Sequence, residues 1–233
     1  MTSSSELVVR LRNLSASAVS DVLDRCGHPD QSVTSAIAPL VRTMKIAGIA
    51  ACFEGVSEDE PKQEGRPAIS GFEIDLRMSA NTVLVIAMNG HRASAAVGGL
   101  MALSAKRRGC AGFVVDGGVR DAPEIIGLGL PAFCRYVTPL NTSGRWRLTC
   151  AEAPIALPGQ AADAVTVSPG DFIIGDGDGL IVIPQAIAAE VIGWTEQLAQ
   201  IEQAIVRKIE AGGSREEAFA QHPRFAHIPR LKP

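Results

Sequence analysis

The 233-residue chain lacks most of the short motifs that announce an enzyme class or a compartment. Its four histidines, His28, His91, His222 and His227, show neither HxH nor HExxH spacing, so a histidine-built zinc site has no support. Five cysteines, Cys26, Cys52, Cys110, Cys134 and Cys150, are odd in number, widely spaced and without a CxxC pair, which argues against a disulfide framework and a zinc knuckle. Neither a GxSxG elbow nor a P-loop is present, which argues against a serine esterase or a nucleotide-driven enzyme. No apolar run is long enough to span a bilayer, and Met1 to Arg12 carries no apolar secretion core. Basic charge is not in excess: 22 Lys and Arg stand against 25 Asp and Glu, and a net charge of -3 gives no general attraction to nucleic acid or anionic membrane. The expectations are no direct nucleic-acid partner, no membrane, and a reducing cytoplasm.

What is present suits one substantial core. With 46% hydrophobic residues the chain reads as a single α/β domain over residues 15–212, with an N-terminal extension (1–14) and a C-terminal tail (213–233). Val19, Val22, Leu23 and Cys26 repeat at helical spacing, with Gly27 beyond them as a C-cap. Lys45 to Phe53 and Thr82 to Met88 are β-rich apolar runs, separated by a charged, proline-containing excursion from Ser57 to Pro67. Ile173-Ile174 and Leu180 to Ile183 flank Gly175-Asp-Gly-Asp-Gly179, a hairpin signal. Asp176 and Asp178 there read as turn residues, because the oxygen-ligand spacing of a calcium loop is missing. Lying between strands, the same glycines form no dinucleotide fingerprint. Pro184 is suited to open a long helix carrying Ile187, Val191, Trp194, Leu198, Ile201, Ile205 and Ile209, on the order of 36 Å in length. Periodicity alone leaves open whether that stripe covers its own core or meets a neighbour.

The chemistry concentrates between Val97 and Asp121. Gly98-Gly99 opens a helical run that ends at Gly109, so free amides and the positive helix end, around Gly98, Gly99, Leu100 and Met101, can face an anion. Close packing is the plainer reading of that glycine pair. Ala111 to Asp116 reads as a strand, with Gly117-Gly118 as a turn that delivers Arg120 and Asp121 together. Arg120 has the planar fork that grips a carboxylate, and Asp121 is a hard oxygen ligand for a magnesium-like ion. Asp121-Ala-Pro-Glu124 fits a capping box equally well, and an isolated Arg120 would form a surface ion pair of little worth. Asp116 either ends its strand or orients metal-bound water from behind. Lys106, within Lys106-Arg107-Arg108 on the polar side of the helix, reads as solvated rather than as a Schiff-base lysine.

Val97 to Asp121 resembles the core motif of the RraA-like family, which includes 4-hydroxy-4-methyl-2-oxoglutarate aldolases and the RNase E activity regulator. Ala18 to Asp24 resembles the family's opening helix, Gly129 to Arg135 with Thr138-Pro139 the stretch that follows, and Val167 to Pro184 its late hairpin. The resemblance spans roughly Ser15 to Gly212 and implies a swivelling β/β/α domain with a long C-terminal helix, assembled as a homotrimer or homohexamer. It also makes Arg120 the substrate arginine and Asp121 the metal aspartate. Glu202 is similar to a glutamate supplied to the site by an adjacent subunit. Gly99 departs from the family, which carries an acid there, and this puts proton transfer in question.

The implied activity is a lyase dependent on Mg²⁺, Mn²⁺ or another divalent cation, acting on a 2-oxo acid through a pyruvate enolate. Retro-aldol cleavage of 4-hydroxy-4-methyl-2-oxoglutarate or 4-carboxy-4-hydroxy-2-oxoadipate needs a base for the hydroxyl proton, whereas oxaloacetate decarboxylation does not. Gly99 therefore implies a greater handicap for the first. The alternative is a non-catalytic oligomeric regulator resembling the RNase E inhibitor. A menaquinone-pathway methyltransferase finds no glycine-rich cofactor loop here.

Overall fold

Capping chemistry sets where several helices begin and end. In the computed structural model, which describes residues 3–60 and 69–231, Ser3 opens α1 (Ser4–Leu11) through a reciprocal box with Glu6. Ser15 opens α2 (Ala16–Cys26) by accepting from Ala18 N, and Gly27 closes it in the left-handed conformation, φ 102°. The chain continues through β1 (Ala38–Pro39), β2 (Ile46–Ser57), α3 (Glu73–Leu76), β3 (Thr82–Ala87) and β4 (Ala95–Val97). Next come α4 (Gly99–Arg107), β5 (Gly112–Val119), α5 (Ala122–Gly127) and β6 (Ala132–Val137). The last third holds β7 (Trp146–Ala151), β8 (Ile155–Pro158), β9 (Ala164–Val167), β10 (Phe172–Asp176), β11 (Gly179–Ile183), α6 (Ala188–Glu210) and α7 (Arg215–Gln221). Ser57 to Glu60 belongs to the expected excursion, and its remainder lies outside the described residues.

Among the described residues, nine strands make one sheet in the order β1-β6-β5-β3-β2-β10-β11, with β4 beside β5 and β7 beside β2. The centre is parallel, β2 with β3, β3 with β5 and β5 with β6, whereas β10 joins β2 antiparallel. Successive side chains of a strand point to opposite faces. Leu84 and Ile86 of β3 accordingly join a core under α4 and α5, while Val83, Val85 and Ala87 join another beneath the β8–β9 hairpin. Both faces are covered, which is why β3 reads as an unbroken apolar run. The outcome is the expected mixed α/β domain, with a nearly closed sheet and a long C-terminal helix.

A third core joins α1, α2 and α6 to β10 and β11. The extension and tail are part of this packing: α1 buries Leu7, Val8 and Leu11. After α7, Ile228 is buried, Phe225 and Leu231 pack beside it, and Leu231 N donates to Cys26 O at 2.9 Å. Most of the α6 stripe turns inward, with Val191, Leu198 and Ile205 buried, while Ile209 stands exposed at its end. Pro184 precedes a 3-10 turn, Gln185–Ile187, rather than the helix itself. No described helix is long and apolar enough to cross a membrane.

The turn expected at Gly117-Gly118 is instead strand, since β5 continues to Val119. Long-range packing overrides the local signal. A Cβ at Gly117 would overlap Met88 Sδ, and one at Gly118 would lie 2.6 Å from Ser94 O and against the Tyr136 ring. The pairing with β6 shifts register between Val115 and Gly118, so the strand bulges past these contacts and turns only at Arg120-Asp121. All the cysteines but Cys150 are buried, and burial pushes the Cys52 and Cys134 thiols up to about 12 and about 11. Both are core residues rather than nucleophiles.

Arg10 clamps α1 onto α6 with a two-pronged contact to Glu196, at 2.8 and 2.7 Å. That hydrogen bonding holds the Glu196 carboxyl below the usual carboxylate range. A depressed carboxyl stabilises the fold at neutral pH, and the contribution is lost as pH falls through its folded-state value. Arg10→Ala should therefore lower stability by about 1 kcal/mol or less at pH 7. Denaturant titrations across pH should show the gap between variant and parent closing in acid.

Candidate active site

Parallel sheets bind ligands beyond the carboxyl ends of their strands, and β4 and β5 end side by side. Ala95 and Val97 pair with Gly118 and Val119. Arg120 N donates to Val97 O at 2.9 Å, and Thr138 N to Val119 O at 3.0 Å, so backbone bonds fix the residues leaving three adjacent strands. The chain leaves β4 through Gly98, the N-cap of α4, which offers no side chain to the helix. Ala102 N closes the first turn on Gly98 O at 3.0 Å. The Leu100 and Met101 amides make no hydrogen bond among the described residues and stay available to an anion.

Asp121 departs from a simple cap. Its backbone is left-handed, φ 58° and ψ 36°, and its side chain makes no capping bond to α5. The box read from Asp121 and Glu124 is not formed. Asp121 Oδ2 instead accepts from Gly99 N at 2.9 Å, joining the end of β5 to the start of α4. It also lies 3.7 Å from Arg120 Nε, with both side chains a little over one-third exposed. Aspartate is among the few non-glycine residues that visit this conformation with little penalty. The second carboxylate oxygen has no hydrogen-bond partner among the described residues. Arg120 folds across Gly98, and a side chain there would push it away: a Cβ would sit 2.9 Å from Arg120 Nε and 3.0 Å from Asp121 Oδ2.

Arg120, Gly98, Leu100 and Met101 line one cavity of about 220 Å³, together with Ala95, Ala96, Asn141 and Thr142. Gly99 is buried next to it, and Asp121 adjoins the cavity through Arg120. The other two anticipated residues are engaged elsewhere. Asp116 shares the Ala87 face of the sheet, opposite α4, and pairs with Arg135. Glu202 binds Arg224, with Nε at 2.9 Å, and Arg224 also reaches Asp21 at 2.6 Å. Sequence reasoning missed Asn141 and Thr142. Only their position two and three residues past Pro139 hinted at them. It also took Glu124 for a capping partner, although its carboxylate lies against Gly99.

No group of three or more His, Cys, Asp and Glu side chains is placed to share a metal among the described residues. A magnesium-like ion asks for less, since one or two carboxylates with water and substrate oxygens complete its shell. Asp121, with one oxygen on the Gly99 amide and the other unbonded among the described residues, fits that requirement.

The family model described as Aldolase/RraA matches residues 16–182. The chain belongs to that RraA-like family. It is 29% identical over 212 residues to protein DlpA of Legionella pneumophila, a match that takes in 91% of this chain but only 33% of DlpA. The chain thus spans about a third of that relative's length. A protein of Halalkalibacterium halodurans, provisionally named a 4-hydroxy-4-methyl-2-oxoglutarate aldolase, is 29% identical over 204 residues, 88% of this chain and 89% of that one. The crystal structure of Streptomyces coelicolor RraAS2, described as an unusual member of the RNase ES inhibitor RraA family, superposes with a TM-score of 0.72 at 26% identity, covering 85% of this chain and 95% of that one.

The packing of Arg120 over Gly98 has a direct test. Gly98→Ala meets side-chain atoms only, Arg120 Nε and Cγ and Asp121 Oδ2, so the Arg120 side chain must swing aside while the melting temperature falls by no more than a few degrees. The displaced guanidinium should weaken oxalate binding roughly tenfold, about 1.4 kcal/mol by calorimetry.

Proposed function

We propose that this protein is a divalent-metal-dependent lyase that cleaves 2-oxo acids through a pyruvate enolate. The observation that carries the reading is the turn of Asp121 away from its own helix onto Gly99 N, beside Arg120 and two unbonded helix amides. The aldolase names of relatives such as the H. halodurans protein agree with it. A bound Mg²⁺ or Mn²⁺, held by Asp121, would supply Lewis acidity toward the keto and carboxylate oxygens of the substrate. The Leu100 and Met101 amides would hold the substrate carboxylate at the positive end of α4. Arg120, fixed through its backbone to β4, would stabilise negative charge as it develops on the keto oxygen when the carbon–carbon bond breaks. Such a group is worth most where its geometry is set beforehand, and the Gly98 contact does that.

The second reading, a non-catalytic regulator, draws on the description of the S. coelicolor neighbour. Pyruvate release from oxaloacetate separates the two. The parent protein should release pyruvate with Mg²⁺ and stop when a chelator is added. Asp121→Asn, which keeps an αL-tolerant residue, should lose activity by about 100-fold or more while remaining folded by circular dichroism. Chelator-resistant activity, or full activity in the variant, would remove the metal role.

We also read the protein as a homotrimer or homohexamer. Val206 and Ile209 stand 51% and 42% exposed on α6, beside a shallow hollow lined by Ala199, Glu202 and Gln203. Light scattering coupled to size exclusion should give a mass three or six times 24.4 kDa, and a monomeric mass would overturn the assembly.

A further inference from the structure

We infer that a cavity at the amino ends of the parallel strands binds a small organic anion with an apolar body, at a site separate from the one around Arg120. The inference does not depend on the lyase reading. Lys45, Ala111 and Pro131 directly precede β2, β5 and β6, and all three line this cavity of about 320 Å³. Leu11 and Leu14 line it from the α1 side, and Ile174 and Gly175 from the late part of β10. Lys106, also in its wall, lies in the last turn of α4, the helix whose opposite end meets the Arg120 cavity. The 9 residues of that helix separate the two cavities by about 14 Å along its axis.

The wall has two kinds of surface. Leu11, Leu14, Ile46, Leu130 and Ile174 are buried core residues and supply an apolar floor. Around it stand Arg12, Lys45 and Lys106, all exposed, and no Asp or Glu lines the cavity. Three cations thus converge from separate stretches of a chain whose net charge is -3. Arg12 Nη2 donates to Asn81 Oδ1 at 2.6 Å, a neutral partner that directs the guanidinium and leaves its charge uncompensated. The Lys45 and Lys106 side chains make no hydrogen bond or ion pair among the described residues. Asp176, next to Gly175, is engaged with backbone, accepting from Ala16 N and Asp178 N at 3.0 Å each. Simple salt ions screen such a cluster but leave the floor wet. A carboxylate, sulfonate or phosphate joined to an aliphatic or aromatic body answers both surfaces at once. Small-molecule pockets begin at about 300 Å³, so the volume suits a compact molecule rather than a length of chain.

Anilinonaphthalene sulfonate, an anion whose fluorescence rises in apolar surroundings, is the probe. It should bind the parent protein at a salt-sensitive site, one per chain, with affinity falling as sodium chloride is raised. Lys45→Gln combined with Lys106→Gln should weaken that binding roughly tenfold. The melting temperature should stay within a few degrees, because both side chains are exposed and unbonded. Octanoate should displace the probe at concentrations where acetate does not, which reads the apolar floor. Oxalate with Mg²⁺, directed at Arg120 and Asp121, should leave it in place. Equal affinity in parent and double variant would overturn the inference, as would equal competition by acetate and octanoate. Displacement by oxalate would put the probe in the Arg120 cavity and overturn it too. Sedimentation of the parent with phosphatidylglycerol vesicles, lost in the double variant, would assign the cations to a lipid surface and remove the small-molecule site. None of these outcomes turns on whether the protein cleaves a 2-oxo acid.

Discussion

The hydrogen bond from Gly99 N to Asp121 Oδ2 is the contact on which the site's geometry depends. It joins two chain segments 22 residues apart in sequence, at the point where two parallel strands run out, just past the backbone bond from Arg120 N to Val97 O. Without it, the carboxylate would be free to cap α5, as its sequence context invites. With it, Asp121 is held in a left-handed conformation and stands next to Arg120. An uncommon backbone conformation of this kind is upheld by surrounding contacts. Here those contacts are the Arg120 backbone bond to Val97 and the buried strand that precedes it.

Glycine does unusual work around this bond, and mostly not through positive φ. Gly98 and Gly99 accept the Arg120 and Glu124 side chains against their backbone, and Gly117 and Gly118 accept Met88 and Tyr136. In each case the missing side chain is a cavity cut to the shape of a neighbour. The two pairs differ in what fills that space: charged groups at the helix start, core groups in the strand. One composition therefore supports a reactive surface and a tightly packed sheet within a single βαβ passage.

Much of this could be read from the sequence, and the parts that could not share a cause. Ser15 and Gly27 bound α2, and Gly98 and Gly109 bound the α4 region, because caps act within one turn of chain. Apolar runs marked β2 and β3 because both faces of those strands are covered. The continuation of β5 through Gly117-Gly118 was hidden, since a local turn signal competed with packing partners some 20 to 30 residues away in sequence, Met88 and Ser94 among them. Arg120 and Asp121 stood out by residue type. The contact between Glu124 and Gly99 did not, because it depends on how two helices meet. The burial of α1 and of the tail was likewise invisible to spacing rules, which cannot say what a short amphipathic segment will rest on.

The ionic tie made by Arg224 sets a different kind of condition. Arg224, on the returning tail, engages both Asp21 and Glu202 and so links the second helix, the sixth and the last stretch of chain. Both Arg224 contacts fall on Glu202 Oε1, so Oε2 makes no hydrogen bond among the described residues. The tail thus holds the carboxylate by one oxygen and fixes the direction in which the other is offered. By reciprocity, any ligand that favours this orientation of Glu202 would steady the tail to the same extent that the tail steadies the ligand.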